Sequence, residues 1–179
     1  RPCLGCNDGC ALRTGKGLDT LCAVNPFMGH EEAFCLERKS DTPKKVLIVG
    51  GGPAGMEAAW CAAKRGHIVT LCEREGRLGG QFFLASLPPY KADIAVYLFH
   101  MQHRLEEAGV EVRLNCCVDA AFVKQFGADH VIVATGSSPI SIPFPGLQEK
   151  DRFFAHDVLR DSLEKLGSNV VVIGGGPAG

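Results

Sequence analysis

Four cysteines near the start of the chain have a spacing that suits a metal centre. They follow the pattern C-x2-C-x3-C-x11-C and are Cys3, Cys6, Cys10 and Cys22. Tetrahedral sulfur ligation indicates either zinc or an iron–sulfur cluster. A zinc ribbon normally pairs one C-x2-C with a second C-x2-C or with two histidines, whereas here three cysteines lie close together and the fourth stands apart. That asymmetry favours a [4Fe–4S] cluster and leaves zinc as the alternative.

The remaining five of the nine cysteines show no such ligand spacing. A secreted disulfide scaffold would be shorter and would carry an even number of cysteines along its whole length. We therefore expect a cytoplasmic protein in which Cys61, on a helix, and Cys72, in a strand, are core thiols. A redox-active pair is the alternative for the adjacent Cys116 and Cys117.

A glycine-rich turn further along the chain carries the fingerprint of a dinucleotide-binding site. Gly50, Gly52 and Gly55 give the pattern G-x-G-x-x-G between an apolar strand and an Ala-rich helix. The first glycine allows a tight turn, the second allows the backbone to approach a pyrophosphate, and the third allows close packing of helix and strand. Glu73 ends the next strand, 18 positions after Gly55, near the distance expected for a carboxylate that binds a ribose hydroxyl.

Residues beyond this fingerprint favour FAD as the ligand of the turn. The acid at Glu73 argues against a 2′-phosphate, and the neighbouring Arg74 is predicted either to stack on the adenine or to contact such a phosphate. A second glycine-rich segment, residues 76–81, suits a long ligand whose flavin half continues past the pyrophosphate. At the Ala134–Gly136 segment, after the fourth strand, we expect the backbone to approach the cofactor closely a second time.

The elements that must position these residues alternate between strand and helix. Apolar runs predict strands at 46–49, 68–72, 110–114, 130–133 and 170–173, and helical patterns predict helices at 56–64, 91–108 and 152–166. This alternation predicts an α/β, Rossmann-like fold for FAD and NAD(P), in which a parallel sheet with helices is preceded by the cysteine-rich loop region.

The sequence Gly-Gly-Gly-Pro-Ala-Gly occurs twice, at residues 50–55 and 174–179, each time after an apolar run. The second copy predicts the start of another dinucleotide site, with Gly174, Gly176 and Gly179 at its turn. Because a helix should follow such a turn, we expect this chain to be a fragment of a longer protein.

Composition argues against several classes of partner. The 179 residues are 46% apolar and 22% charged, with a formal net charge of −1. This balance suits a folded core and gives no electrostatic basis for binding nucleic acid or an anionic membrane surface. No apolar run reaches the roughly 18–20 residues that a membrane-spanning helix requires.

Taken together, the motifs resemble those of the NADH:flavin oxidoreductases of the Old Yellow Enzyme group. These are iron–sulfur flavoproteins related to 2,4-dienoyl-CoA reductase and enoate reductase. The resemblance extends over essentially all 179 residues and rests on the cysteine and glycine patterns and on short signatures at 3–7, 24–26, 79–81 and 134–136. The cysteine spacing is more similar to that of the dienoyl-CoA and enoate reductases than to that of trimethylamine dehydrogenase.

The resemblance implies a series of cofactors in a longer protein. Family members carry an N-terminal barrel that holds FMN and the substrate, followed by the cluster loop, an FAD domain and an NAD(P)H domain. Electrons would pass from NAD(P)H through FAD and a [4Fe–4S] cluster to FMN, which reduces an activated C=C bond. The substrate, an unsaturated thioester or carboxylate, would bind in a barrel outside this chain, so no catalytic acid is expected here.

The resemblance also implies residue roles and domain boundaries. The four cysteines would ligate the cluster. The FAD pyrophosphate is assigned to Gly50, Gly52, Gly55 and Gly136, its ribose to Glu73, its flavin half to Gly80 and Gln81, and the nicotinamide site to Gly174, Gly176 and Gly179. The predicted boundaries are a cluster segment at 1–30, a linker at 31–44, the first part of the FAD domain at 45–140, a connector at 141–168 and the start of the NAD(P)H domain at 169–179.

Two alternatives remain open at this point. The chain could be an electron-transfer module of another iron–sulfur flavoprotein, such as the small subunit of glutamate synthase, although that family has longer cysteine sets for two clusters. The single set followed by Val24-Asn25-Pro26 argues against it. A zinc-binding α/β domain without enzymatic activity is the second alternative, and it predicts a colourless protein.

Overall fold

The computed structural model describes residues 2–33, 38–148, 152–162 and 166–175. The chain divides into two compact units, residues 1–137 and residues 138–179. The first unit contains the sheet, the cysteine-rich segment and the first glycine-rich turn, so it contains the site considered below.

The first unit is organised around a parallel sheet with the strand order β3-β2-β1-β4. Its strands are β1 (Lys45–Val49), β2 (Ile68–Cys72), β3 (Glu111–Arg113) and β4 (His130–Val133). Val46 of β1 is in register with Val69 on one side and with His130 on the other. Because β1 is flanked on both sides, its central residues are buried, whereas every residue of the edge strand β4 is exposed.

Helices connect the strands, as a parallel sheet requires. They are α1 (Ala11–Thr14), α2 (Pro53–Lys64), α3 (Gly80–Ala85), α4 (Ala92–Glu107) and α5 (Ala120–Phe126) in the first unit, and α6 (Ala155–Asp157) in the second. Among the described residues, no helix is both long enough and apolar enough to cross a membrane.

The hydrophobic core lies where α2 and α4 pack together beside the sheet. Buried side chains of β1 and β2 meet Met56 and Ala59 of α2 and three leucine or methionine residues of α4, namely Leu98, Met101 and Leu105. Helical periodicity explains these α4 positions, since they recur every three or four residues along one face. The predicted α/β class is confirmed, and so are the strands at 46–49, 68–72 and 130–133.

Three short helices were not predicted from the sequence, namely α1 within the cysteine-rich segment and the longer α5 and α3. Helix α5 begins at Asp119, whose carboxylate accepts the N–H of Phe122 at 2.7 Å, and it ends at Gly127. Helix α3 begins directly after Gly79, at the end of the second glycine-rich segment, for which no helix was predicted. Both are too short to show a clear apolar repeat, so capping residues were the available signal.

The predicted elements of the second unit are corrected by the structure. No strand forms among the described residues 166–175, and the four apolar side chains of 170–173 are exposed. A strand needs a hydrogen-bonded neighbour, and none pairs with this run. The helix predicted at 152–166 starts later, at Ala155, and continues as a π-helical turn at Val158–Ser162, while residues 163–165 lie outside the described residues. Asp157 holds the start of α6 by accepting the N–H of Phe154.

A buried ion pair connects α2 to α4. Arg104 Nη1 donates to Glu57 Oε2 at 2.8 Å, and the two side chains are only 8% and 20% exposed. The guanidinium carbon of Arg104 also lies 3.5 Å from the centre of the Trp60 ring, within cation–π distance. The contacts of Arg104 with Glu57 and Trp60 therefore hold α4 against α2.

Arg104→Ala is expected to lower the free energy of unfolding by about 3 kcal/mol, because it leaves the Glu57 carboxylate largely buried without this partner. Urea unfolding followed by circular dichroism measures the loss. The control is Arg74→Ala, since Arg74 is 72% exposed and its ion pair with Glu75 is 3.6 Å long. That control should change stability by less than about 0.5 kcal/mol. Equal losses in both variants would contradict the role of the buried pair.

Candidate functional site

The candidate site lies at the carboxyl ends of β1, β2 and β4, where three loops meet. The β1–α2 turn contains the first glycine fingerprint, and the loop after β2 leads through Gly79 and Gly80 into α3. The third loop follows β4 and contains Gly136. Parallel strands end at one edge of a sheet, so residues that are far apart in the sequence come together there.

The β1–α2 turn is built by backbone contacts that only glycine permits. Gly50 has a φ of 109°, and a Cβ there would come within 2.4 Å of the Ala134 carbonyl oxygen. A Cβ on Gly55 would come within 1.9 Å of the Gly50 carbonyl oxygen. The strand β1, the helix α2 and the loop after β4 therefore approach more closely than side chains would allow.

Gly52 faces open space at the beginning of α2. A Cβ placed on Gly52 would meet no atom within 4 Å, and the residue caps the helix without any side-chain hydrogen bond. Pro53 occupies the first turn, where its missing N–H costs nothing. The first-turn N–H groups of a helix have no intrahelical acceptor and carry a partial positive charge, so this end suits a phosphate group.

Glu73 holds the glycine turn in place. Its Oε2 accepts the N–H of Gly51 at 2.6 Å and its Oε1 accepts the N–H of Glu75 at 2.9 Å, and the residue is 7% exposed. Each carboxylate oxygen can accept more than one hydrogen bond. The carboxylate therefore supports the loop and retains acceptor capacity for a ribose hydroxyl, and the ribose role stays a prediction.

The second and third loops are joined through Gln81. Its side-chain Nε2 donates to the Ser137 carbonyl oxygen at 2.6 Å. Gly79, with a φ of 117°, donates its N–H to the Gly51 carbonyl oxygen at 2.8 Å. Gly80 lies beside Gly52, since a Cβ on Gly80 would be 3.3 Å from the Gly52 Cα. The structure thus joins all three loops, the third through Ser137, which directly follows the predicted Gly136.

Other predicted residues are not part of this convergence. The Arg74 side chain is exposed and pairs with Glu75 at 3.6 Å. Gly174 belongs to the second unit and has a φ of 116°, close to the 109° of Gly50. Gly176 and Gly179 lie outside the described residues.

In the cysteine-rich segment, a backbone hydrogen bond brings together residues that are far apart in its sequence. The Leu21 N–H donates to the Gly9 carbonyl oxygen at 2.8 Å, so the chain next to Cys22 lies against the chain next to Cys10. The Gly5 N–H is directed at Cys3 Sγ, 3.3 Å away. The thiols themselves do not converge, since no three His, Cys, Asp or Glu side chains in the described ranges could hold one metal ion.

The four thiols nevertheless suit a metal centre in chemistry and in backbone arrangement. Cys3 and Cys6 are exposed, and Cys10 and Cys22 are partly buried. Metal binding is coupled to folding, and its free energy can draw ligands together that do not converge without the metal. Ligation by Cys3, Cys6, Cys10 and Cys22 therefore stays a prediction.

Several residues of the site were not predicted from the sequence. Gly51 and Gly79 join two of the loops, Ser137 accepts the Gln81 amide, and Leu78 packs against Gly51. The doublets Gly50–Gly51 and Gly79–Gly80 carried a signal for the two glycines. Nothing in the sequence around Ser137 indicated its contact, which joins residues 56 positions apart.

The family is decided by comparison with known proteins. The family model described as pyridine nucleotide-disulphide oxidoreductase matches residues 16–125 and, in an overlapping match, residues 44–179. The chain belongs to this family. Its Rossmann-like fold is the one that binds FAD and NAD(P), and the chain is a domain of a flavin-dependent oxidoreductase.

Three curated relatives align with the whole of this chain. They are cinnamate reductase of Clostridium sporogenes, NADH oxidase of Thermoanaerobacter brockii and bilirubin reductase of Mediterraneibacter gnavus, at 44%, 43% and 39% identity. The alignments cover 26%, 28% and 28% of those proteins, so the chain spans about a quarter of their length. The resemblance to flavin-dependent reductases that the motifs predicted is confirmed.

A solved structure agrees with these relatives. A 2-naphthoyl-CoA reductase in complex with 2-naphthoyl-CoA superposes with a TM-score of 0.85 at 32% identity, covering 92% of this chain and 25% of that one. The chain is thus a flavin oxidoreductase electron-transfer domain of the kind found in alkene-reductase-like proteins.

Cys72 and Cys116 form a hydrogen-bonded thiol pair next to Glu73. Burial, and to a smaller extent a hydrogen bond with the Cys116 thiol, raises the pKa of Cys72 to about 12. Cys72 precedes Glu73, and the Cys116 N–H donates to the Glu73 carbonyl oxygen at 2.8 Å. The thiolate is the nucleophilic form of cysteine, so Cys72 is protonated and unreactive near neutral pH.

Iodoacetamide near neutral pH is expected to label Cys117, which is exposed, well before Cys72. The reason is that both burial and the raised pKa suppress the Cys72 thiolate in the folded chain. Peptide mass spectrometry at successive times measures the two rates. In urea the difference should disappear, and equal labelling of both cysteines in the folded protein would contradict the prediction.

Proposed function

We propose that this domain binds FAD at its three glycine-containing loops and takes part in moving electrons from NAD(P)H towards an FMN outside this sequence. The observation that carries the proposal is the convergence of Gly52, Gly80 and Gln81 beside the open beginning of α2. A single phosphate would need only one such loop. The second loop is hydrogen-bonded to the first and the third to the second, and three loops joined in this way suit an extended ligand.

Each residue has a defined task in this proposal. The N–H groups at the beginning of α2 receive the pyrophosphate, and the absent side chain of Gly52 leaves room for it. Glu73 receives the adenosine ribose while holding Gly51. Gln81, fixed by Ser137, orients the flavin half. When bound, FAD supplies an acceptor for two electrons that can be released singly, and an iron–sulfur cluster is a carrier of single electrons.

We further propose that the four N-terminal cysteines hold a [4Fe–4S] cluster. Support comes from their spacing, from the thiol chemistry of the set and from the hydrogen bond that places the Cys22 segment against the Cys10 segment. The whole protein would then reduce an activated C=C bond of an unsaturated thioester or carboxylate. The names of the relatives, cinnamate reductase and 2-naphthoyl-CoA reductase, support that substrate class.

Gly52→Ala is expected to leave the fold intact and to weaken FAD binding at least about tenfold, or ~1.4 kcal/mol. Its methyl group meets no protein atom but enters the space proposed for the pyrophosphate. Titration of the apoprotein followed by flavin fluorescence measures the affinity, and thermal unfolding checks the fold.

Gly55→Ala is the matched substitution within the same fingerprint. Its methyl group would come within 1.9 Å of the Gly50 carbonyl oxygen, so it should destabilise the apoprotein by about 1–3 kcal/mol even without FAD. If Gly52→Ala bound FAD as tightly as the wild type, the pyrophosphate assignment would be wrong.

The metal proposal is tested by replacing one ligand. The purified wild type should contain iron and sulfide and show a broad visible band that dithionite bleaches, and Cys6→Ser should lose most of both. Cys117→Ser, an exposed cysteine outside the set, is the control and should keep them. Stoichiometric zinc without the visible band would overturn the cluster in favour of a zinc site.

A further inference from the structure

The cysteine-rich segment packs against the hydrophobic core through Leu4, Cys22 and Val24. Within the described residues 2–33, Val24 is the only buried one, with 5% of its surface exposed. It lies two positions after Cys22, whose side chain is packed against the same core. The Asn25 N–H donates to the Cys22 carbonyl oxygen at 3.3 Å, so Val24 is enclosed in a turn that begins at a predicted ligand.

Tyr97 of α4 contacts this turn through its hydroxyl group. The Tyr97 hydroxyl donates to the Val24 carbonyl oxygen at 3.4 Å, across 73 positions of sequence, and the residue is 5% exposed. A hydrogen bond is directional, whereas apolar packing is not. The orientation of the turn after Cys22 is therefore set partly by the position of α4.

The same turn of α4 also contacts the flavin side of the FAD site. The Tyr97 ring meets the edge of the Phe82 ring with centroids 6.1 Å apart and an angle of 85°. Phe82 directly follows Gln81. The neighbouring Leu98 lies against Gly79, since a Cβ on Gly79 would be 3.2 Å from Leu98 Cδ1. Residues 97 and 98 thus contact both the cysteine segment and the loop that begins α3.

We propose that Tyr97 is a positioning residue that fixes the cluster loop relative to the flavin side of the FAD site. This inference rests on the proposed function, because it assigns the two loops to a cluster and to FAD. Tyr97 touches neither group in this assignment and acts through Val24 and Phe82. Transfer of an electron between two carriers depends on their separation, and Tyr97 would set that separation through the two loops that it contacts.

Tyr97→Phe in the full-length protein tests the proposal, because it keeps the ring and removes only the hydroxyl. Reduction by NAD(P)H is followed by stopped-flow absorbance at the flavin and cluster bands. Reduction of FAD should keep its wild-type rate, and reduction of the cluster should slow by roughly 2- to 30-fold, the range expected for a change within a coupling network. The electron paramagnetic resonance spectrum of the reduced cluster should also change.

The control is Tyr90→Phe, which makes the same chemical change at a fully exposed residue. It should match the wild type in both rates and in the spectrum.

A second pair of variants separates the ring contact from general packing. Phe82→Leu removes the ring that meets Tyr97, and Phe83→Leu removes a ring that lies under Arg77 instead. Only Phe82→Leu should slow reduction of the cluster.

The outcomes distinguish this inference from the proposed function. A wild-type protein without a cluster, or with a cluster that NAD(P)H does not reduce, overturns the proposed function and the inference with it. A wild type with a reducible cluster and a Tyr97→Phe variant of identical rates and spectrum overturns only the role of Tyr97. Equal slowing in Phe82→Leu and Phe83→Leu would show a packing effect and also overturn it.

Discussion

The close approach of Gly55 to the Gly50 carbonyl oxygen is the constraint on which the rest of this domain depends. No side chain fits between the two residues, so α2 leaves β1 at a separation set by the backbone alone. The Ala134 carbonyl oxygen is similarly close to Gly50 and brings the loop after β4 to the same point. A ligand that requires three loops at one edge of the sheet can bind only because these backbones are in contact.

The residues of the fingerprint support one another before they meet any ligand. Glu73 accepts the Gly51 N–H, and Gly79 donates to the Gly51 carbonyl oxygen. Gly51 therefore joins the β1–α2 turn to the loop after β2 through its own peptide groups. The site is therefore pre-organised by short-range hydrogen bonds. Pre-organisation matters for a cofactor domain, because binding energy then need not be used to order the loops.

The sequence was informative wherever a local pattern had one physical solution. The apolar run Val46–Val49, directly followed by the glycines of residues 50–55, predicted a buried strand and a close turn, and both are present. The run at 170–173 has the same pattern but forms no strand, because pairing depends on a neighbour that the run itself does not specify. Contacts between distant residues, such as Gln81 with Ser137, depend on the completed fold and leave no local signal.

The two candidate sites differ in what holds their parts together. The glycine loops converge through protein hydrogen bonds, so their arrangement is a property of the chain. The thiols of the cysteine segment do not converge by themselves, although the backbone near Cys10 and Cys22 does. A segment with so small an interior must take its orientation from the core it touches. Val24 is the buried part of that contact, so the residues around it on α4 help to decide where a metal centre would lie relative to the glycine loops.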